Sequence, residues 1–426
     1  MKKILAAILA AAAVMGVGAY AKTIQVTIDS ADVFTSDEYI IKDTLQAAAY
    51  IENDITMVPL RFITEKLGAQ VEWNHDTKEI TITKADETVT LQIGNVNAVS
   101  VSGGEATTSE LLAPPVIVND ITLVPLRFVS ENMGATVEYI EPTRQVLITD
   151  DEPAVVVGSI PVSKDMFRTY YLANLDYAYY FGEEELAEKS FNDVVTAFAI
   201  RNSWEVIDPD TSLSEDSQAV ISGMTDDDFA IGGVLRANYV KLCQTLDITD
   251  RAYTMLSTAT SEEDMDAVYK SSYVRAKHIL LSTVDSETGE SLSASEKAKV
   301  KAQAEAVLKK AKGGADFDEL IKEYGEDPGM EYAADGYVFT TGEMVEEFEK
   351  AAFELKENEI SNLVETAYGY HIIKKLALPE MPEEVKAQIG HAAASDMINY
   401  IISSTPLTDN MSVEELTEYM LASSVG

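Results

Sequence analysis

A chain of 426 residues exceeds what one ordinary hydrophobic core organises, so roughly two to four domains are expected. Its hydrophobic content of 46% suits globular folding, while 72 acidic against 32 basic residues leave a net charge of −40. That balance excludes nucleic acid as a partner, because phosphate binding needs clustered Lys and Arg. Cys243 is the only cysteine and there are four histidines, so no intramolecular disulfide forms and a Cys/His zinc site lacks ligands. No cofactor and no metal is expected.

Lys2 and Lys3 precede an apolar run from Ile4 to Val14, and Ala19-Tyr20-Ala21 follows as a small-x-small cleavage site. The run is short for a membrane span. The pattern therefore predicts a signal peptide over residues 1–21, cleaved after Ala21, and an exported protein. No cysteine adjoins the site, so no lipid anchor is expected.

Residues 22–150 are rich in strands and contain an internal repeat. Asn53-Asp-Ile-Thr-Met-Val-Pro-Leu-Arg-Phe62 returns as Asn119-Asp-Ile-Thr-Leu-Val-Pro-Leu-Arg-Phe128. Each copy runs on through Leu67-Gly-Ala69 or Met133-Gly-Ala135 into an alternating strand, Val71-Glu-Trp73 or Val137-Glu-Tyr139. A second strand follows in each, Ile80-Thr-Ile82 or Val146-Leu-Ile148. The proline is expected to start a short helix and the glycine to end it. Two copies are too few for a solenoid, which leaves one pseudo-symmetric α+β module.

Asp150-Asp-Glu-Pro153 reads as a linker. Ala154–Ile160 reads as strand and turn, and Ser163 as the N-cap of a helix carrying Phe167, Tyr170, Tyr171, Tyr177, Tyr179, Tyr180 and Phe181. Phe167, Tyr170, Tyr171, Asn174 and Ala178 share one stripe of that helix, which is expected to be buried on two sides, with a groove for unfolded chain as the lesser reading. Further helices are predicted at Glu184–Val206, Asp226–Leu246 and Ser261–Tyr269, with a loop at Asp208–Asp216. Cys243 reads as a small buried hydrophobe.

Two histidines bracket the next stretch. Val274, Ala276, His278 and Leu280 share one face of a strand by the two-residue period. A helix with Val300, Ala304, Val307, Leu308 and Ala311 stops at Gly313-Gly314. Asp316 and Glu319 predict a capping box for a helix bearing Phe317, Leu320, Ile321 and Tyr324. Gly336–Phe339 is a short strand, Val345–Leu355 a helix with Phe348 and Ala352 inward, and Ile360–Val364 with Tyr370–Leu376 a hairpin carrying His371. Beyond it, helices are predicted from Pro382 towards Ile402 and over Ser412–Leu421. Helical flanks on both sides of residues 273–377 point to an inserted domain.

Two resemblances attach to these residues. The doubled Val-Pro-Leu-Arg-Phe…Leu/Met-Gly-Ala signature resembles the stalk domain of copper amine oxidases, over residues 30–150, which implies a spacer or attachment module without copper chemistry. Arg275-Ala-Lys-His-Ile-Leu280, Glu326-Asp-Pro-Gly329, Gly342-Glu-Met-Val345, Phe348-Glu-Lys-Ala-Ala-Phe353 and Gly369-Tyr-His-Ile-Ile373 resemble the parvulin, or rotamase, domain. With its helical flanks the chain is similar to extracytoplasmic foldases of the PrsA and SurA type.

The implied fold is an α+β multidomain chain. It comprises the stalk domain, a helical chaperone region over 154–272 and 382–426, and an inserted parvulin domain of βα3βαβ2 order over 273–377. The implied activity is peptidyl-prolyl cis-trans isomerisation of exported, partly folded, proline-containing polypeptides in a Gram-positive-like setting. A possible envelope ligand would be met through the stalk.

By the same resemblance Met344 and Phe348 line the proline pocket, with Phe339 behind them. His278, His371 and Thr366 form a polar network beneath it, and Asp327 lies beside the substrate carbonyl. The turn Ala333-Ala-Asp-Gly-Tyr337 is one residue shorter than the family's, so the leucine that often completes the pocket has no direct counterpart and Tyr337 is a candidate for its place. The acidic loop at Asp285, Glu287 and Glu290 lacks the arginine cluster that recognises phosphorylated Ser/Thr-Pro. Two other readings stand beside this one: a non-catalytic holdase with a degenerate parvulin domain, and a wall-associated binding protein.

Overall fold

The doubled motif folds as two copies of hairpin, proline and short helix. In the computed structural model, which describes residues 22–424 apart from 37–39, 151, 206 and 286–287, each Asn-Asp doublet forms a two-residue turn. Asn53 and Asp54 have φ of 50° and 63°, Asn119 and Asp120 of 48° and 64°. Positive φ at both central residues is the turn that matches the twist of a hairpin, and Asn and Asp tolerate it. The strands Ile55–Pro59 and Ile121–Pro125 then pair antiparallel, Val58 facing its own counterpart Val124.

Pro59 and Pro125, each at φ −59°, precede the helices Leu60–Lys66 and Leu126–Asn132. Gly68 at +73° and Gly134 at +84° end the two copies. Leu60, Ile63, Leu126 and Val129 are buried in a core shared by both copies. The first strand, Lys22–Thr27, lies between Asp32–Ser36 and Gln145–Asp150, so the module closes its beginning on its end. The predicted signal peptide and its cleavage site lie outside the described residues, as do Asp151 of the linker and Glu287 of the acidic loop.

The chain divides into two compact units, Met1–Tyr253 with Met397–Gly426, and Thr254–Asp396. Both divisions fall within helices, Arg236–Ala259 and Glu383–Ser404. No described helix is long and apolar enough to cross a membrane.

In the first unit one core combines Phe34, Ile140 and Leu147 from the strands with Phe167, Leu186 and Phe198, and with Leu416 and Met420 from the C-terminal helix Val413–Ser424. The strand Leu407–Asp409 pairs with Val155–Val157. Asp165, buried, accepts hydrogen bonds from Thr23 Oγ1 at 2.8 Å, Ser36 Oγ at 3.3 Å and Tyr419 Oη at 2.8 Å. An ionisable group that deep is retained because three donors satisfy it.

Several expectations in this unit are corrected. The aromatic stretch is not one helix. It is Lys164–Ala173, then the 3-10 turn Leu175–Tyr177 and the single turn Ala178–Phe181. Phe167 and Tyr171 alone enter the core fully, Phe167 stacking on Phe191 at 5.6 Å. The helix stops at Asn174, whose side-chain amide donates back to the Tyr170 carbonyl. Past that break Tyr179 and Tyr180 are 89% and 76% exposed, so burial on two sides does not hold there. Ser163 has extended cap geometry, but its hydroxyl makes no capping bond.

The helix predicted over Asp226–Leu246 is interrupted at Gly232-Gly233, with Gly233 at φ +72°, giving Asp226–Ile231 and Arg236–Ala259. An unpredicted helix, Glu215–Ser222, begins inside the expected loop, where Ser214 caps Ser217 N–H. Cys243 is buried as expected, and burial pushes its thiol up to about 11.

The second unit is organised on an antiparallel sheet of four strands in the order Tyr337–Thr340, Tyr273–Ser282, Gly369–Leu376, Val364–Thr366. Helices Ala294–Lys312 and Phe317–Tyr324 cover one face through Ala304, Val307, Ala311, Phe317 and Leu320, over Ile279, Leu281 and Ile372. Phe348 and Ala352 of the helix Glu346–Glu354 pack with Val274, Ala276 and Ile373 on the other. Because both faces are covered, the burial pattern changes phase at His278. Ile279 and Leu281 are buried while Leu280, expected inward, is half-buried.

The last hairpin is shorter than predicted: Ile360 makes only an isolated bridge to Lys374, and the strand proper is Val364–Thr366. Asp316 caps the N–H groups of Asp318 and Glu319, but the Glu319 carboxylate turns to Lys322, so the reciprocal box is absent there. Ser293 and Glu296 form one instead.

Candidate active site

His278 sits mid-way along the central strand, opposite Ile373, and His371 on the neighbouring strand is opposite Leu280. This diagonal pairing on one face brings the imidazoles together. Their rings are nearly parallel, 11° apart in plane with centroids at 5.1 Å, and the two Nδ1 atoms are 2.9 Å apart. Thr366, at the end of the edge strand, places Oγ1 2.8 Å from His371 Nε2. His278 Nε2 lies 2.7 Å from Asp327 Oδ2.

Asp327 comes from the Glu326-Asp-Pro-Gly329 loop, which is fastened to the sheet by its neighbour. Glu326 N–H donates to the Leu280 carbonyl at 2.9 Å, and the Glu326 carboxylate accepts from Ser282 N–H at 2.6 Å. The Asp327 carboxylate takes two more donors, Gly329 N–H on Oδ1 and the Tyr337 hydroxyl on Oδ2, each at 3.0 Å.

The chain of bonds has a direction. A carboxylate only accepts, so His278 Nε2 donates to Asp327. With His371 neutral, every partner is satisfied if Tyr368 N–H donates to Thr366 Oγ1 at 3.1 Å and Thr366 donates to His371 Nε2. His371 Nδ1–H then donates to His278 Nδ1. Reversing the imidazole pair would send two donors to Thr366 Oγ1 and leave its own proton without an acceptor in the chain. These tautomers follow from the hydrogen-bond network.

The electrostatics agree with that polarity. The hydrogen bond from His278 is the largest influence holding Asp327 down to about 2. Burial lowers His371 to about 4, and the neighbouring His278 adds to it, so its imidazole is neutral at physiological pH. Burial, with the Asp327 carboxylate, raises Tyr337 to about 12. None of these groups is arranged as an activated nucleophile.

Phe348 roofs the pair, its ring edge-on to His278 at 5.1 Å and to His371 at 5.4 Å. Phe339 lies behind it at 5.9 Å. Both phenylalanines are buried, and Met344 and Tyr337 beside them are half-buried. A cavity of about 720 Å³ is lined by Lys277, Asp318, Ile321, Glu326, Asp327 and Met330.

All eight residues singled out from the sequence thus fall in one region of the second unit. Glu326, Gly329 and the Tyr368 N–H were not among the predicted site residues, although Glu326 and Gly329 both stand in the Glu-Asp-Pro-Gly motif. Among the described residues no group of three or more His, Cys, Asp or Glu side chains is arranged to hold a metal ion.

Two stretches of the chain match known families: residues 38–148 the copper amine oxidase N-terminal domain, and residues 255–377 the PPIC-type PPIASE domain. The stretch that matches the PPIC-type PPIASE domain contains the whole His278–His371–Asp327 constellation.

Relatives include the foldase protein PrsA of Bacillus subtilis strain 168, 36% identical over 122 residues, covering 28% of this chain and 39% of that one. The foldase protein PrsA of Oceanobacillus iheyensis is 30% identical over 211 residues, 46% of this chain and 62% of its own. The foldase protein PrsA 1 of Bacillus cereus is 46% identical over 92 residues, covering 20% and 32%. The chain spans between about a third and three fifths of the length of these relatives. A crystal structure of the peptidylprolyl isomerase PrsA from Bacillus cereus is 21% identical over 58% of this chain and 84% of that one, with a TM-score of 0.28.

Proposed function

We propose that this protein is an exported peptidyl-prolyl cis-trans isomerase and foldase, acting on secreted or cell-surface polypeptides that contain proline. One observation carries the reading: in a PPIC-type domain, a buried His278–His371–Thr366 chain ends on a three-donor carboxylate, Asp327, beneath an aromatic roof. An X-Pro amide rotates over a barrier of about 18–20 kcal/mol, on a timescale of tens of seconds. Lowering that barrier needs neither a nucleophile nor a metal. It needs a site that grips the proline ring, strips water from the amide and favours the twisted, less conjugated state.

In this reading Met344, Tyr337 and Phe348 receive the proline ring, with Phe339 as backing. Asp327 faces the substrate carbonyl. The two histidines and Thr366 hold that carboxylate and the pocket floor rigid and take no proton from substrate. The catalytic domain spans 273–377, the flanking helices over 154–272 and 382–426 form the chaperone region, and 30–150 is the stalk, meeting an envelope ligand. Its likeness to foldase proteins of Bacillus subtilis and Oceanobacillus iheyensis supports the reading.

The test is a proline-limited refolding assay with the full chain. Acceleration that falls at least about tenfold in Asp327→Ala and His278→Ala is expected. No acceleration by the wild-type chain would refute the reading.

A further inference from the structure

Tyr337 is the candidate for the place where the resemblance calls for an apolar pocket residue, often a leucine. This chain has a phenol instead, and the structure gives the phenol a partner. Its hydroxyl donates to Asp327 Oδ2 at 3.0 Å, beside the bond from His278 Nε2 to the same oxygen. Tyr337 pairs with Ala276 in the sheet, and Gly336 at φ +95° turns the chain into that strand. A Cβ at Gly336 would meet the Ala276 carbonyl at 3.0 Å.

Gly329 supplies the second half of the observation. Its φ is not positive, so no backbone requirement explains a glycine at the start of the turn Gly329–Tyr332. Space explains it. A Cβ on Gly329 would stand 2.0 Å from the Tyr337 hydroxyl and 3.2 Å from Asp327 Oδ1. The residue without a side chain and the residue with a hydroxyl are matched to each other across the carboxylate.

We propose that Tyr337 is a positioning residue whose hydroxyl, seated in the space left by Gly329, locks the Asp327 carboxylate for the isomerase reaction. The inference rests on the functional reading above. With the hydroxyl present the carboxylate holds two donors on Oδ2 and one on Oδ1 and has no freedom to rotate. Without it, Oδ2 keeps only His278. The remaining bond then strengthens, and the carboxylate becomes more basic because it has lost a hydrogen bond that favours its charged form.

The experiment compares Tyr337→Phe, Tyr337→Leu, Gly329→Ala and the double variant Tyr337→Phe/Gly329→Ala in the full chain. It uses isomerisation of an Ala-Pro peptide, with the NMR resonance of His278 Nε2–H as a second readout. Both Tyr337 variants are expected to lose about tenfold in kcat with little change in KM, the size of one lost hydrogen bond to a charged group. The acid limb of the pH profile should move upward, and the His278 resonance downfield. Gly329→Ala should show a similar kcat loss alone and less than about twofold in the Tyr337→Phe background.

Wild-type kcat in Tyr337→Leu would overturn the proposal, since an apolar wall would then suffice. So would additive losses in the double variant, or an unmoved His278 resonance in Tyr337→Phe. If the wild-type chain has no isomerase activity, the functional reading fails. The resonance and its response to Tyr337→Phe then decide whether the lock exists.

Discussion

His278 and His371 meet through their Nδ1 atoms at 2.9 Å, with both rings beneath Phe348. One ring must donate and the other accept, and Asp327 at one end of the chain with Thr366 at the other decides which. The pair is therefore a fixed dipolar strut and not a charge relay.

That polarity makes stability depend on pH. His371, lowered from 6.5 to about 4 by burial, takes up its proton more readily unfolded than folded. Its contribution is complete above pH 6.5 and is lost as the pH falls from 6.5 towards 4. The shift corresponds to roughly 3 kcal/mol at most. Asp327 adds a second loss at lower pH, as the pH falls below 3.8 towards 2. Urea unfolding of the second unit within the full chain, followed between pH 7 and 4, should show the midpoint falling. A flat midpoint would contradict the neutral assignment of His371.

Thr366→Val keeps the shape of the edge strand but removes the donor to His371 Nε2. A buried acceptor left unpaired costs about 1–3 kcal/mol, and the reduced stability should appear in the same urea experiment. Stability equal to wild type would show that another donor reaches that nitrogen.

In the first unit, Tyr419→Phe removes one of the three donors to Asp165. The expected loss is about 1–3 kcal/mol in the unfolding of that unit. Thr23, near the start of the described chain, and Tyr419, near its end, bind the same carboxylate. Deleting residues 397–426 should therefore destabilise the unit far more than Tyr419→Phe does, by removing Leu416 and Met420 from its core. Equal unfolding midpoints for the two variants would contradict this.

Gly134→Ala and Gly158→Ala separate two reasons for glycine. Both have positive φ, but nothing lies near a Cβ at Gly134, whereas one at Gly158 would meet the Asn202 side chain at 2.4 Å. The first should cost about 1–2 kcal/mol from backbone strain alone. The second should cost more, because Asn202 Oδ1 accepts from Ser159 N–H and Oγ and would be displaced. Thermal unfolding of the two variants orders them.

Much of this architecture was legible in the residues. The repeat at 53–69 and 119–135 announced two equivalent units, and the proline and glycine marked the helix ends they form. The motifs around His278, Asp327, Met344 and His371 marked the residues that the sheet brings together. What escaped were consequences of tertiary structure. Alternation along Tyr273–Ser282 implied one buried face, and only the second layer of helices reveals why Ile279 and Leu281 are inside. Aromatic spacing extended one helix from Phe167 to Phe181, but a periodic pattern cannot show that Asn174 stops it or that Tyr179 faces water. Tyr337 was visible as an odd residue in a short turn, and its bond to Asp327 required the fold.

Under the proposed function, the stretch that matches the PPIC-type domain lowers the barrier to X-Pro rotation and does not merely hold unfolded chain. The most direct measurement is the rate of a proline-limited refolding step in the presence of the full chain, against the Met344→Ala/Phe348→Ala double variant, with suppression of client aggregation recorded alongside. Acceleration by the wild type that is lost in the double variant is expected. Suppression of aggregation that survives the double substitution, with no acceleration by either protein, would contradict it.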